Sequence, residues 1–244
     1  MLSKPKVKYI QTLGQKKFRE EERLFIAEGP KLVKELLEAG NTSVSEVYAL
    51  PDWISEHQNL LDGVTCIEIT PPDLERISQL TTPNKVLALV KQFDNTPAAA
   101  AKGIITLALD NIQDPGNLGT IVRIADWFGI SQVVCTDNTA DIYNPKVVQS
   151  TMGSIARVRV GYTHLAQWLK EQTGMRIYAA TLDGQDIRSM KKIEEGILVI
   201  GNEAKGISPE ILQLATEMIS IPKKGDAESL NAAVATGIIV SHLT

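Results

Sequence analysis

The chain alternates short apolar runs with segments in which apolar residues recur every three or four positions. Early on, Phe25-Ile26-Ala27 leads through Glu28-Gly29-Pro30 into 31–39, where Leu32, Val33, Leu36 and Leu37 fall at helical spacing. Pro30 suits the first turn of that helix, and Gly40 is expected to stop it. β-like runs follow at 46–50, 66–70 and 86–93, with a helix from Pro72 to about Leu80 whose Leu74, Ile77 and Leu80 share a face. The alternation predicts a small α/β domain.

A composition break follows at Asp94-Asn-Thr-Pro-Ala-Ala-Ala-Ala-Lys-Gly103, read as a linker. Beyond it, 104–109, 132–135, 177–182 and 197–200 are nearly continuous apolar runs, as in strands covered on both faces. Segments 157–160 and 218–221 alternate apolar with polar residues, as strands nearer an edge do. Helical signals lie between: Leu118, Ile121, Val122, Ala125 and Phe128 in one stripe closed by Gly129, then Asn144-Pro145, Thr163 to Gly174, Ser208-Pro209, and Ala232 to about His242. The expected fold is α/β: a mostly parallel sheet with helices on both faces, preceded by the small domain. The domains predicted are 1–93, a linker 94–103, and 104–244. Ligands of such sheets sit in loops at the carboxyl ends of the strands.

Composition narrows the chemistry. The chain has 244 residues, 43% of them hydrophobic and 22% charged. No apolar run approaches the ~20 residues of a membrane span, and no charged-then-apolar leader is visible, so a soluble cytoplasmic protein is expected. Cys66 and Cys135 are far apart, and His57, His164 and His242 are scattered. That inventory offers neither a zinc site nor a disulfide framework. The net charge is −4, yet residues 1–19 carry Lys4, Lys6, Lys8, Lys16, Lys17 and Arg19 and no acid. This arm reads first as a solvated, frayed terminus, and second as a grip for phosphate.

Three loops follow directly on predicted buried strands. Asp110-Asn-Ile-Gln-Asp-Pro-Gly-Asn117-Leu-Gly119 runs into a helix presenting Arg123. A strand, a Gly-rich turn and a helix start make a cradle for anions, since free N–H groups and the helix dipole face the ligand. It is neither a Gly-x-Gly-x-x-Gly fingerprint nor a P-loop, which disfavours a dinucleotide or NTP site. Gly201-Asn202-Glu203-Ala204-Lys205-Gly206 sets Glu203 at a strand's carboxyl end. Ile221-Pro222-Lys223-Lys224-Gly225 continues to Ser229-Leu230-Asn231, at the start of a helix of small residues that suits close packing by a second copy.

In this order the three loops closely resemble the sequence motifs of the SpoU (TrmH-like) RNA 2′-O-methyltransferases of the SPOUT superfamily. Residues 22–93, with Phe25-Ile26-Ala27-Glu28-Gly29 and Thr82-Pro83, are similar to that family's small substrate-binding domain. The resemblance implies a C-terminal trefoil knot, which general topology rules argue against, a bent S-adenosylmethionine bound in it, and a homodimer. It implies Gly201, Ile221 and Leu230, with Asn231 and Thr181, as cofactor-binding residues, and Asn117, Arg123, Glu203, Ser229 and Asn231 around the reacting ribose. No metal is required. Where the family often has methionine after Ile-Pro, this chain has Lys223, and where it continues Gln-Gly after Thr-Pro, this chain has Asn84-Lys85.

The expected activity is methyl transfer from S-adenosylmethionine to a ribose 2′-hydroxyl of structured RNA, with ribosomal RNA ahead of transfer RNA as substrate. The alternative is a catalytically silent RNA-binding module on the same fold. Retention of Asn117, Arg123, Glu203, Ser229 and Asn231 together counts against it. A nucleotide-dependent oxidoreductase lacks its fingerprint. Arginine is effectively always protonated and makes a poor base, so Arg123 is expected to hold an RNA phosphate and stabilise a developing alkoxide, with the proton passing to a phosphate oxygen or water.

Overall fold

The computed structural model describes residues 1–39 and 43–244. The chain forms two compact units, one of 1–93 with 141–156, the other of 94–140 with 157–244. The segment 141–156, expected from sequence in the C-terminal domain, therefore belongs to the first unit.

The first unit opens with helices α1 (Lys4–Thr12) and α2 (Lys16–Glu22). This corrects the expectation of a frayed terminus. Ser3 caps α1 by accepting from the Lys6 N–H, Pro5 occupies its first turn, and Val7, Ile10 and Leu13 are buried at a spacing of three. There follow β1 (Leu24–Glu28), α3 (Pro30–Glu38), β2 (Val44–Ala49), α4 (Pro51–Glu56), β3 (Thr65–Glu68), α5 (Pro71–Ile77) and β4 (Val86–Lys91). Gly40, expected to stop α3, lies outside the described residues. The strands make a mixed sheet in the order β1-β4-β2-β3, with β4 antiparallel to both neighbours and β2 parallel to β3.

Half of the basic arm is committed to internal pairs. The Lys6 ammonium lies 2.8 Å from Glu46 and near the rings of Tyr9 and Tyr48, and Lys16 faces Glu20 one turn along. Burial pushes the Glu46 carboxyl up, but hydrogen bonds from Lys6 and Tyr48 outweigh it and hold the group below the ordinary carboxylate range. Arg19 is buried, donates to the carbonyls of Leu13 and Gly14, and pairs with Asp141 at 2.7 Å. Lys4, Lys8 and Lys17 have no partner among the described residues.

In the second unit, β5 (Ile105–Asp110) leads to α6 (Pro115–Trp127) and β6 (Gln132–Cys135). The chain then supplies 141–156, with α7 (Pro145–Thr151), to the first unit. There Tyr143 stacks on Phe25 at 4.8 Å and its hydroxyl accepts from the Phe93 N–H. Next come β7 (Arg159–Tyr162), α8 (Leu165–Glu171), β8 (Ile177–Asp186), β9 (Gly196–Gly201), α9 (Pro209–Leu212), β10 (Glu217–Ser220) and α10 (Ala232–Leu243). Six strands lie in the order β10-β8-β9-β5-β6-β7, every neighbouring pair parallel. Their central members are apolar on both faces because helices cover both. The segment 94–103 has no regular structure, but it is pinned. The Ala98 peptide exchanges hydrogen bonds with the Gln132 side chain, and the Ala100 N–H donates to Gln172.

Removing the Asp141 carboxylate leaves a buried guanidinium without its counter-charge, a change that costs on the order of 3–5 kcal/mol. Asp141→Ala is expected to lower the stability of the first unit by that order in urea denaturation. A loss below about 1 kcal/mol would match an exposed pair instead.

Candidate active site

In the six-stranded sheet the chain runs outward from β5 through β6 to β7, then returns on the other flank. β5 and β9 are therefore the neighbours at which the winding reverses, the place where such sheets open a crevice at their carboxyl ends. The two strands stay paired to their last residues, Asp110 opposite Gly201. The first two motif loops leave from those residues, side by side.

The first loop turns at Asn111, which adopts the left-handed conformation at φ 60°. It ends at Asp114, whose carboxylate accepts from the Asn117 N–H at 2.8 Å and caps α6. With its backbone satisfied, Asn117 is free to use its side chain elsewhere. Its amide nitrogen donates to the Glu203 carboxylate, and its amide oxygen accepts from the Asn231 side chain at 2.8 Å. Asn117, Glu203 and Asn231, one from each motif loop, thus form a continuous hydrogen-bonded chain. Asn231 also caps α10, its oxygen accepting from the N–H groups of Ala233 and Val234.

The other two expected reaction-centre residues stand outside that chain. Arg123 is exposed and has no hydrogen-bond or ion-pair partner among the described residues. Its six-residue spacing from Asn117 turns it about 240° round the helix, so the two residues do not share a face. Ser229 is exposed, two residues before Asn231.

Beside these loops the sheet splits. β9 pairs with β5 through Gly201 but with β8 only as far as Val199, opposite Ala179. On the far side Met218 pairs with Ala179 and the next residue, Ile219, with Gln185, so residues 180–184 swing out of the ladder. Leu182 is exposed on this excursion, and the Thr181 hydroxyl oxygen is buried with no hydrogen-bond partner among the described residues. A buried, unsatisfied hydroxyl is a group waiting for a ligand or water. Ile221 follows directly on β10, and Leu230 is 44% exposed.

Close backbone approach fixes the glycines. A Cβ on Gly201 would lie 2.4 Å from the Gly206 carbonyl carbon and 2.5 Å from the Ile207 nitrogen; on Gly184 it would lie 2.5 Å from the Ile219 nitrogen. Both neighbours are backbone and cannot rotate away.

The SpoU rRNA methylase family model matches residues 104–241, and a model described as an MRM3-like substrate binding domain matches 4–88. The chain belongs to the SpoU family. It is an S-adenosylmethionine-dependent RNA methyltransferase. Along 241 residues this SpoU protein is 33% identical to the 23S rRNA (guanosine(2553)-2′-O)-methyltransferase RlmP of Bacillus subtilis, covering 98% of this chain and 95% of that one. An AdoMet-bound rRNA methyltransferase structure from Sinorhizobium meliloti is 31% identical at a TM-score of 0.88, over 100% of this chain and 95% of that one. A TrmH-family structure from Porphyromonas gingivalis is 35% identical at a TM-score of 0.85, over 100% and 98%.

These residues fit the cofactor: the buried, unsatisfied Thr181 oxygen would offer it a polar contact, and the exposed side chains of Leu182 and Leu230 would offer it apolar surface. Asp110, Asn111 and Asn202 lie in the motif loops but carried no role in the sequence; their bonds join the first two loops. The signal available was an asparagine immediately before Glu203, a residue type suited to closing tight turns.

Gly201→Ala of this SpoU protein is expected to cost roughly 1–3 kcal/mol in thermal or urea unfolding, because the Gly206-Ile207 backbone must move. Calorimetry should show S-adenosylhomocysteine affinity reduced about tenfold or more, equivalent to ~1.4 kcal/mol. Unchanged stability and affinity would mean that the close approach of Gly201 to the Gly206-Ile207 backbone is looser than its geometry indicates.

Proposed function

We propose that this enzyme methylates a ribose 2′-hydroxyl in structured RNA, with ribosomal RNA as substrate. The observation that carries the reading is the Asn231–Asn117–Glu203 chain, which joins the three motif loops beside the split in the sheet. A 2′-O-methyltransferase named for 23S rRNA aligns with nearly the whole chain, which supports the same choice of atom and of RNA.

In this reading Gly201, Ile221, Leu230, Asn231 and Thr181 hold S-adenosylmethionine, which supplies an electrophilic methyl group. The trefoil knot implied by the motifs belongs to the same reading. Asn117, Glu203, Ser229 and Asn231 orient the ribose and would present its 2′-hydroxyl to the methyl donor. Arg123 is exposed and unpaired, and its guanidinium holds the neighbouring phosphate bidentately and stabilises the oxyanion as the hydroxyl loses its proton. A guanidinium has no capacity to accept the proton, which leaves to a phosphate oxygen, to water or to the Glu203 carboxylate.

The first unit grips RNA. Its matched substrate-binding domain and the unpaired Lys4, Lys8 and Lys17 support that role, with phosphate contacts setting register. The enzyme works in the cytoplasm, where its RNA is, and as a homodimer. Trp127 on α6 and Val234 and Ile238 on α10, helices packed together, are exposed apolar side chains that a second copy could cover.

Mapping of 2′-O-methylated nucleotides in ribosomal and transfer RNA, with and without the gene, tests the reading. A single ribosomal ribose should lose its methyl group, and purified enzyme should restore it; a lost mark in transfer RNA would move the substrate. Arg123→Ala is expected to lower kcat by about 10²-fold or more, while the Kd for S-adenosylhomocysteine stays within about threefold. Equal losses would put Arg123 in the cofactor pocket. Sedimentation at micromolar concentration should give twice the mass of one chain, and a monomer would remove the dimer from the reading.

A further inference from the structure

The turn bearing Glu203 is held to the first loop by bonds that the reaction centre does not use. Asn202 closes this turn completely. Its backbone N–H and carbonyl exchange hydrogen bonds with Gly206 at 3.1 and 2.8 Å, and its side-chain oxygen accepts from the N–H groups of Ala204 and Lys205 at 3.0 and 3.1 Å. The side-chain nitrogen does something different: it leaves the turn and donates to the Asn111 carbonyl at 2.9 Å.

That carbonyl is a fixed anchor. Asn111 is in the left-handed conformation, its N–H donates to the Thr136 hydroxyl at 2.8 Å, and the Thr136 and Thr139 hydroxyls are 3.1 Å apart. At the other end of the turn, the Ser208 N–H donates to the buried Asp110 carboxylate at 2.7 Å. Glu203 lies between these two staples, and its carboxylate takes the Asn117 amide.

We propose that Asn202 is a positioning residue for Glu203: its donated hydrogen bond to the Asn111 carbonyl sets the carboxylate against Asn117, and turnover depends on that bond although Asn202 touches no reacting atom. The inference rests on the methyl-transfer reading of the same site. Asn202 has two separable jobs, closing the turn with its oxygen and reaching Asn111 with its nitrogen. Aspartate keeps the first and lacks the second, because an ionised carboxylate only accepts.

The test compares wild type, Asn202→Asp and Asn202→Ala in steady-state methyl transfer to RNA, with calorimetry of S-adenosylhomocysteine and a binding titration of RNA. Loss of one neutral hydrogen bond predicts that kcat falls about tenfold in Asn202→Asp and at least as far in Asn202→Ala. The Kd values for both ligands are expected to stay within about threefold. If Asn202 acts through Glu203, adding Asn202→Asp to Glu203→Gln lowers kcat by no more than about twofold further.

Wild-type kcat in Asn202→Asp would overturn the proposal, as would ligand affinities that fall in step with kcat, or losses that combine in full in the double variant. Thr136→Val, which loosens the same Asn111 peptide from its other side, is expected to lower kcat in the same direction, and an unchanged rate would count against the anchor. An active wild type with an unaffected Asn202→Asp overturns this inference alone, whereas a wild type that methylates no RNA overturns the functional reading and this inference with it.

Discussion

The site depends on one side chain that must donate and accept at once. Asn117 gives a hydrogen to Glu203 and takes one from Asn231, and a primary amide is the short side chain that can do both at fixed geometry. Aspartate in its place would face the Glu203 carboxylate with like charge. Serine would be too short to span both partners. This constraint ties three loops, the first and last of them 114 residues apart at Asn117 and Asn231, into one network whose members hold each other's orientation.

The sheet makes that constraint affordable by bringing two of the loops to adjacent strand ends. β5 and β9 remain paired through Asp110 and Gly201, so the loops that follow begin in register. β8 leaves the ladder after Ala179, and β10 picks it up again at Gln185 and Asp186. The same departure that opens the split exposes Leu182 and leaves the Thr181 hydroxyl unsatisfied. Such local violations of sheet regularity gather where a protein binds something, since ordinary packing would remove them.

Much of this was legible in the order of residues, for physical reasons that also explain the omissions. Strands such as 132–135 and 197–200 announce themselves because both of their faces are buried, and the apolar stripe Leu118, Ile121, Val122, Ala125 marks α6. The N-terminal helices were hidden by their lysines. Val7, Ile10 and Leu13 carry the helical period, but a charge-rich context reads as solvated until the partners of Lys6, Lys16 and Arg19 are seen. The reassignment of 141–156 to the first unit was not legible, because Arg19 and Asp141 meet over 122 residues of separation and no local pattern encodes that pairing. At the site, residue types in the three loops pointed to the family, whereas the bond from Asn202 to Asn111 follows from a strand register that sequence does not display.

Helix capping and the site are one arrangement. Each of α6 and α10 begins at the network, and the first-turn N–H groups of both need acceptors. At α6 a separate residue, Asp114, does the capping, which leaves both polar atoms of the Asn117 amide for the other loops. At α10 Asn231 divides itself, with its oxygen to the helix N–H groups and its nitrogen to Asn117. Any motion of Asn231 away from Asn117 therefore also strains the cap of α10, and α10 packs on α6. The network inherits the rigidity of two packed helices, so the loops stay preorganised at the carboxyl ends of the sheet without relying on their own short backbones.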